Sequence, residues 1–437
     1  MFRQVYDAIR GEISGDNARN LAATIWRHDR DSTFAGYYET ARYCLAQLRQ
    51  AGARAELVTF PADGKATYGT TVLQRAWDCR QASLEVLEPV TDARRLVSYP
   101  AQPFGCVQGS PPTPAGGVEA EVVVVTGGGQ ARDYRGLRVK GKFVLTDTAA
   151  GSVHQEAQKQ GAVGVISDAM ATNPVVRKDP MDLPDALPWQ VMRPAGALPA
   201  FVLSPRQGKW LRGLIARRTA EGATVRVRAR VDARVYDGRL EMVSGLLRGR
   251  SDQEVALMAH FAEPGANDNA SGAGLCVEIA RALQALIKAG KLSRPRRGLR
   301  VWLTHEVYSL QAHAVTDPQA MARVVAAHNL DMVGEDMARC GSVLMYQDSP
   351  DAAPSFINHL LRELLEHFRR GFYAWPNLSS SQAFFPALET PFWGNDNFIS
   401  DPSIGVPSVA FINWPDRYYH TSEDTPDKLS AETLARA

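Results

Sequence analysis

The chain has 437 residues, of which 45% are hydrophobic and 22% are charged. This composition is typical of a globular protein with one large domain or two to three ordinary domains. The 49 basic and 47 acidic residues nearly cancel, giving a formal net charge of +2. The charge balance therefore favours neither a nucleic-acid partner nor an anionic membrane surface.

The N-terminal region and the cysteines bear on localisation. The first 30 residues contain no unbroken apolar segment of the kind found in secretory signals. No later segment approaches the ~20 apolar residues that a membrane helix needs. The five cysteines are odd in number and form no Cys-x-x-Cys pair. We therefore predict free thiols, a cytoplasmic protein and no membrane partner.

The first predicted elements are a helix and a strand. Ala41, Leu45 and Leu48 share one face of a helix predicted over 38–51, and Gly52 is a typical helix stop. Residues 56–60 then have the pattern of a strand.

A Pro- and Gly-rich stretch at 100–118 predicts a domain boundary. Short apolar strands are predicted after it at 121–125, 141–145 and 162–166, with a helix at 152–160. Residues 105–205 are therefore predicted to form a small α/β domain, inserted between residues 1–104 and 206–437 of a larger one.

Strands and helices alternate from residue 235 onward. We predict strands at 254–260, 298–304, 322–331 and 406–412, and helices at 270–289 and 355–370. Such alternation predicts a largely parallel sheet covered by helices on both faces.

Five potential metal ligands follow or end these predicted strands. They are His260, Asp268, Glu306, Asp331 and His420. Open α/β sheets place their sites at the carboxyl ends of strands, so these side chains are expected at one edge. Two imidazoles and three carboxylates suit two zinc-like ions, and a carboxylate can bridge the pair. Paired ions activate a shared water molecule and polarise a carbonyl, which is hydrolytic chemistry.

The motifs around these residues resemble those of the co-catalytic zinc peptidases of the bacterial leucyl aminopeptidase type, a family that includes glutamate carboxypeptidase. The segments that carry the resemblance are HFAEPGANDNASG, LTHE, NLDMVGED and YHTSEDTPDKL, within residues 235–437. Residues 105–205 resemble the protease-associated domain that some members insert. The resemblance implies a zinc-exopeptidase-like fold with a mostly parallel twisted sheet flanked by helices.

The resemblance also implies individual roles. His260 and Glu306 would bind one zinc ion, Asp331 and His420 the other, and Asp268 would bridge them. Asn395 and Asp396 resemble a substrate-contacting segment. Tyr419 would hydrogen-bond a tetrahedral intermediate, or alternatively pack under its loop.

One position departs from the family pattern. Members of the family usually have two successive glutamates, a general base and then a ligand, whereas this chain has His305-Glu306. His305 could take the proton role, although nearby cations would oppose its charged form. Glu263 is the other carboxylate close enough in sequence, and could be the base or an extra ligand.

Three functions are consistent with these residues. The first is a zinc aminopeptidase that cleaves N-terminal residues or small amides through a metal-bridging water. The second is a specialised amide hydrolase or cyclase with an altered base. The third is a non-catalytic peptide-binding relative. A peptide or small amide is the expected partner, and the sequence leaves a homo-oligomer open.

Overall fold

The computed structural model describes residues 2–372, 387–390 and 394–437. Its helices are α1 (Phe2–Glu12), α2 (Gly15–Asp29), α3 (Phe34–Gln50), α4 (Ala150–Lys159), α5 (Pro205–Ala220), α6 (Ala270–Lys288), α7 (Tyr308–Thr316), α8 (Pro318–Arg323), α9 (Met337–Cys340), α10 (Ile357–Phe372) and α11 (Ala431–Arg436). Its strands are β1 (Arg54–Ala62), β2 (Thr67–Tyr68), β3 (Thr71–Val72), β4 (Ala76–Glu88), β5 (Arg94–Tyr99), β6 (Val118–Val125), β7 (Phe143–Thr146), β8 (Gly164–Ser167), β9 (Ala200–Val202), β10 (Arg226–Tyr236), β11 (Gly238–Leu247), β12 (Glu254–Phe261), β13 (Gly298–His305), β14 (Val324–Leu330), β15 (Val343–Gln347), β16 (Ala387–Thr390) and β17 (Ser408–Trp414).

The larger sheet has the strand order β1-β11-β13-β12-β14-β17-β15-β16. Its centre is parallel, since β12 pairs in parallel with β13 and β14, and β14 with β17. The pairs β1/β11, β11/β13 and β15/β17 are antiparallel. The predicted α/β fold is confirmed, with a mixed sheet that has a parallel centre and a further parallel pair, β15/β16, at one edge.

The two faces of this sheet bury alternate side chains of the central strands. Leu257 and Leu303 pack in the cluster that includes α2 and α3. Met258 and Trp302 point to the other face, where α7 and α8 cover them. Because successive residues of a strand point to opposite faces, runs of apolar residues are required where both faces are covered.

A second sheet has the order β5-β4-β10-β6-β7-β8-β9. It spans residues 76–236, which is wider than the predicted insertion at 105–205. The difference arises because β4 and β10 are long strands that pair with each other, and β10 also pairs with β6. The second unit therefore includes chain on both sides of the Pro/Gly-rich stretch. Its assignment as a protease-associated domain stays a prediction.

The predicted elements agree with the structure except at some boundaries. The predicted strand at 322–331 is shorter, because α8 continues to Arg323 and β14 ends at Leu330. Helix α3 begins at Phe34 rather than at residue 38, since the Thr33 side chain accepts a hydrogen bond from Gly36 N and caps the helix. By length and composition, α6 alone among the described helices could cross a membrane, but 67% of its apolar window is buried within the fold.

The contact between α6 and α2 depends on glycine. A Cβ atom at Gly274 would lie 2.9 Å from both the Ala18 carbonyl oxygen and the Ala22 nitrogen. Backbone atoms cannot yield as a flexible side chain can, so we expect Gly274→Ala to destabilise the protein by ~1–3 kcal/mol. The measurement is thermal unfolding of the full chain.

Gly213, in the middle of α5, is the matched control. The nearest atom to its added Cβ is Arg217 Nη1 at 3.9 Å. Gly213→Ala should leave the unfolding temperature unchanged or raise it, because alanine favours a helix by ~0.5–1 kcal/mol over glycine. Equal unfolding temperatures for Gly274→Ala and the native chain would contradict the close helix contact.

Candidate metal centre

The parallel strands bring the predicted ligands to one edge of the larger sheet. His260 lies near the end of β12, and Glu306 and Asp331 directly follow β13 and β14. Asp268 lies just before α6, and His420 lies in the loop after β17. A cavity of about 300 Å³ opens at this edge. Its polar lining comes from Glu263, Asp268, Glu306, Asp331, Asn395 and Tyr419.

Asp268 lies between the two imidazoles. His260 Nε2 is 3.5 Å from its Oδ1, and His420 Nε2 is 3.1 Å from its Oδ2. His260 Nε2 is also 3.9 Å from Asp331 Oδ1. His420 Nε2 is also 3.3 Å from Glu263 Oε2. Each oxygen of Asp268 thus faces a different imidazole, which is the arrangement expected of a bridging carboxylate.

These residues fit divalent metal ions. His260 Nε2 and Asp331 Oδ1 are buried and have no hydrogen-bond partner, and His260, Glu263 and Asp268 have ligand atoms within 4.8 Å of one another. Nitrogen and oxygen ligands ~2.0–2.2 Å from a tetrahedral zinc ion lie roughly 3.3–3.6 Å apart. The observed separations between predicted ligands, 3.1–3.9 Å, lie on both sides of that spacing, and the donor set suits zinc.

The electrostatics of the cavity also favour cations. Burial opposes a charge on His260, but the negative charges of Asp331 and Glu306 raise its pKa well above the usual value. Burial likewise opposes a charge on His420, yet its hydrogen bonds to Asp268 and Glu263 raise its pKa to about 10. Four carboxylates around two imidazoles create a negative potential that stabilises any cation placed there.

The division of the ligands between two ions stays a prediction. The sequence-based assignment paired His260 with Glu306 and Asp331 with His420. In the structure His260 Nε2 lies 3.9 Å from Asp331 Oδ1, and the charge of Glu306 also acts on His260. The reason is that β12 lies between β13 and β14, so neighbours on either side are available to His260. Sequence order does not show which neighbour its ring faces.

Asp396 is not part of the cavity wall, contrary to the substrate-contacting role predicted for it. It is fully buried, and its Oδ2 lies 3.1 Å from His260 Nδ1. It also accepts hydrogen bonds from Thr304 Oγ1 at 3.2 Å and from Val307 N at 2.9 Å. A carboxylate on the second ring nitrogen fixes the tautomer of a ligating histidine, so Asp396 orients His260.

Asn395 does line the cavity, and it also holds a predicted ligand. Its Nδ2 donates to Asp331 Oδ2 at 2.7 Å, while its Oδ1 accepts from Asn329 Nδ2 at 3.1 Å. Because one face of its amide is already engaged, Asn395 orients Asp331. A substrate contact from Asn395 stays a prediction.

The two candidates for the general base lie in different places. Glu263 lines the cavity, and burial together with the charge of Asp268 raises its pKa well above the usual value. The His305 ring packs among Phe34, Tyr37 and Tyr308. It borders a separate pocket. Burial and the nearby Arg193 lower the pKa of His305 to about 3.

Tyr419 borders the cavity and stacks on His420, with ring centroids 3.7 Å apart and an angle of 18° between the planes. Trp414 packs edge-on against it at 5.0 Å. Burial and the charges of Asp268 and Glu263 raise the pKa of its phenol. Tyr419 therefore remains a hydrogen-bond donor.

Sequence reasoning missed several residues that position this site. Asp424 accepts hydrogen bonds from the Asn267 and Asp268 amides at 2.8 and 3.0 Å. It lies in the YHTSEDTPDKL motif, which was the available signal. Trp189 packs edge-on against His420 at 5.0 Å, and no local pattern in the sequence marks it.

Backbone strain is also concentrated at the site. Ala262, Val307, Met332 and His420 all have positive φ angles, of 81°, 46°, 54° and 54°. Each is a predicted ligand or lies one or two residues after one. Such conformations cost ~1–3 kcal/mol each and persist only where the surroundings enforce them. At Ala262, Asp29 on α2 accepts the amide hydrogen at 3.1 Å.

Comparisons with known proteins find one family and several solved structures that resemble this chain. Residues 243–437 match Peptidase family M28, and no curated protein sequence matches the chain. A zinc aminopeptidase structure from Bacillus subtilis is 17% identical, with a TM-score of 0.64 over 97% of this chain and 91% of that chain. A Peptidase M28 precursor from Shewanella amazonensis is 17% identical, with a TM-score of 0.67 over 99% and 92%. An aminopeptidase from Aneurinibacillus sp. is 19% identical, with a TM-score of 0.54 over 98% and 92%.

At these identities the solved structures establish the fold. Together with the match to Peptidase family M28, this fold indicates a metal-dependent peptidase. The matched residues 243–437 are somewhat less than half of the chain, and they contain all five predicted ligands.

Asp396→Asn tests the orientation of His260. Asparagine has nearly the same volume as aspartate but lacks the negative charge that faces His260 Nδ1. We therefore expect the affinity of the site for metal to fall ~10–100-fold. Competition titration with a chelating dye measures it. Asp401→Asn, at the exposed end of the same short helical segment, is the control and should keep native affinity. If Asp396→Asn binds metal with native affinity, the contact between Asp396 and His260 does not affect metal binding.

Proposed function

We propose that this protein is a zinc aminopeptidase that releases N-terminal residues from short peptides or small amides. The observation that carries the proposal is the placement of Asp268 between His260 and His420 at the floor of a carboxylate-lined cavity. Family membership of the domain that holds these residues supports the same reaction class.

We further propose two zinc ions per chain. His260, Asp268 and Asp331 would hold one ion, a grouping supported by their short separations. His420 and Asp268, with Glu306 from the cavity lining, would hold the other. Bound zinc would supply Lewis-acid chemistry, polarising a carbonyl oxygen and lowering the pKa of water. Asp396 and Asn395 keep His260 and Asp331 in place throughout.

Glu263 is the proposed general base. It is the carboxylate of the cavity that is not assigned to an ion in this scheme, and it lines the same cavity as the proposed ligands, within reach of a bound water. It would accept a proton from the attacking water at its carboxylate oxygen and deliver it to the departing amine. Its contact with His420 Nε2 holds the Glu263 carboxylate beside the proposed ligands.

Substrate binding follows from size. A cavity of about 300 Å³ is at the small end of ligand sites, so it admits one residue rather than a long segment. Tyr419, held protonated, would donate a hydrogen bond to the developing oxyanion.

The position of His305 favours a second candidate, a specialised amide hydrolase or cyclase. The side chain at the usual base position is packed among aromatic rings instead of lining the cavity. A base on a different loop would approach the substrate from another direction, which suits a narrower substrate range.

The reaction class is tested by metal removal and substrate profiling. Dialysis against a strong chelator should abolish release of N-terminal residues from a peptide library, and added zinc should restore it. Elemental analysis should give at least two zinc ions per native chain. If the protein retains zinc but cleaves none of the peptides in the library, the aminopeptidase proposal is overturned and the second candidate is favoured.

The base assignment is tested by a matched pair of substitutions. Glu263→Gln should lower kcat ~100- to 10,000-fold, because the amide cannot accept the proton, while zinc content stays unchanged. His305→Gln should keep kcat within a few-fold of native, since that ring lies outside the cavity. Loss of zinc in Glu263→Gln would instead identify Glu263 as a ligand, and a large loss of kcat in His305→Gln would restore His305 as the base.

A further inference from the structure

A second cluster of side chains that can bind metal ions lies next to the turn that carries Asp268. Glu335 follows β14, Cys340 ends α9 and Asp416 follows β17. Their relative exposures are 0%, 1% and 3%. One ligand atom from each lies within 4.8 Å of the others. None of the three lines the catalytic cavity.

The backbone holds these residues in place, but part of their hydrogen-bonding capacity is unused. Arg417 N donates to the Cys340 carbonyl oxygen at 3.1 Å, which ties the Asp416 loop to α9. Asp416 Oδ1 accepts from Tyr418 N at 2.7 Å. Glu335 Oε2 receives a long contact of 3.4 Å from Asn267 Nδ2, and its Oε1 has no partner of hydrogen-bond geometry. The Ser342 and Cys340 side chains lie near enough to lower the pKa of Glu335.

A buried hydroxyl is also turned toward this cluster. Ser342 Oγ lies beside the Glu335 carboxylate, is 6% exposed and has no partner of hydrogen-bond geometry. Buried polar atoms are almost always paired. Glu335 Oε1 and Ser342 Oγ lie on neighbouring side chains and both lack a partner of good geometry, which leaves room for a shared ligand.

The charge of the cluster points to a cation. Burial raises the pKa of Glu335 well above its usual value, and the charges of Asp416 and Asp424 raise it further. Asp424 already accepts hydrogen bonds from two backbone amides. Arg177, on the second unit, is a cation that interacts electrostatically with Asp416. Buried carboxylates in such excess are stable only when they bind protons or a metal ion.

We propose that Glu335, Cys340 and Asp416 bind a divalent, thiophilic metal ion such as zinc, at a site separate from the catalytic pair. One thiolate and two carboxylates match zinc, whereas magnesium and calcium prefer oxygen ligands alone. On binding, the ion replaces the proton of the Cys340 thiol, which is released to solvent. The Ser342 hydroxyl is placed to complete the coordination.

This ion would stabilise the turn that carries Asp268, the residue between the two imidazoles of the catalytic centre. The Asn267 side chain contacts Glu335, and the next residue along the chain is Asp268, which lies between the two imidazoles. A fixed carboxylate at Glu335 therefore holds the turn that carries the bridging residue. Groups in such outer positions commonly change metal affinity ~10–100-fold.

Cobalt substitution tests the site through its thiolate. Full-length protein produced in cobalt-supplemented medium should show a thiolate-to-cobalt charge-transfer band in the near ultraviolet. The catalytic cluster contains only imidazoles and carboxylates, so its occupancy cannot produce this band. Cys340→Ser should lose the band and about one metal ion per chain. Cys276→Ser, another buried free cysteine, is the control and should keep both.

The outcomes separate this proposal from the proposed function. A cobalt-loaded native chain without the band, or a band that survives in Cys340→Ser, overturns the site. A band in a protein without peptidase activity supports the site and leaves the proposed function unsupported. If Cys340→Ser does not fold, Glu335→Gln replaces it and should weaken the band, while a native-strength band there would overturn the assignment.

Discussion

A buried carboxylate placed between two imidazoles is the interaction on which the rest of the site depends. Asp268 faces His260 with one oxygen and His420 with the other. Burial opposes its ionisation, but the hydrogen bonds from both imidazoles outweigh that effect and lower its pKa. The surroundings must therefore supply positive charge and rigid support. Asp424 provides the support by accepting hydrogen bonds from the Asp268 and Asn267 amides.

The architecture explains how residues far apart in sequence meet at this carboxylate. The parallel strands β12, β13 and β14 end at the same edge, and each carries a ligand at or directly after its end. The side chains that orient them come from a different segment, since Asn395 and Asp396 follow β16. The positive φ angles around the site show that packing, rather than local preference, sets the backbone there.

The second unit contributes directly to the catalytic edge. The segment 187–189 pairs with the loop that carries His420, through hydrogen bonds of Leu187 with Ser422 and of Trp189 N with the His420 carbonyl oxygen at 2.8 Å. Trp189 also packs against the His420 ring. Because the His420 loop lies outside the sheet, these contacts fix a ligand that the sheet alone would leave unsupported. The unit thus belongs to the active centre whatever its evolutionary origin.

The amino-acid sequence alone indicated the alternation of strands and helices, the strand-end placement of the five candidate ligands, and the motifs that resemble those of zinc peptidases. These are local properties, which follow from the hydrophobic periodicity and from the residue types at the ends of the elements. Only the tertiary structure decided that His260 faces Asp331, that Asp396 lies beneath His260, and that Glu263 rather than His305 borders the cavity. It also decided that the second sheet begins at Ala76 and that Cys340 meets Glu335 and Asp416. The physical reason is that ring orientation, strand order and long-range pairing depend on packing between distant segments, which no local pattern encodes.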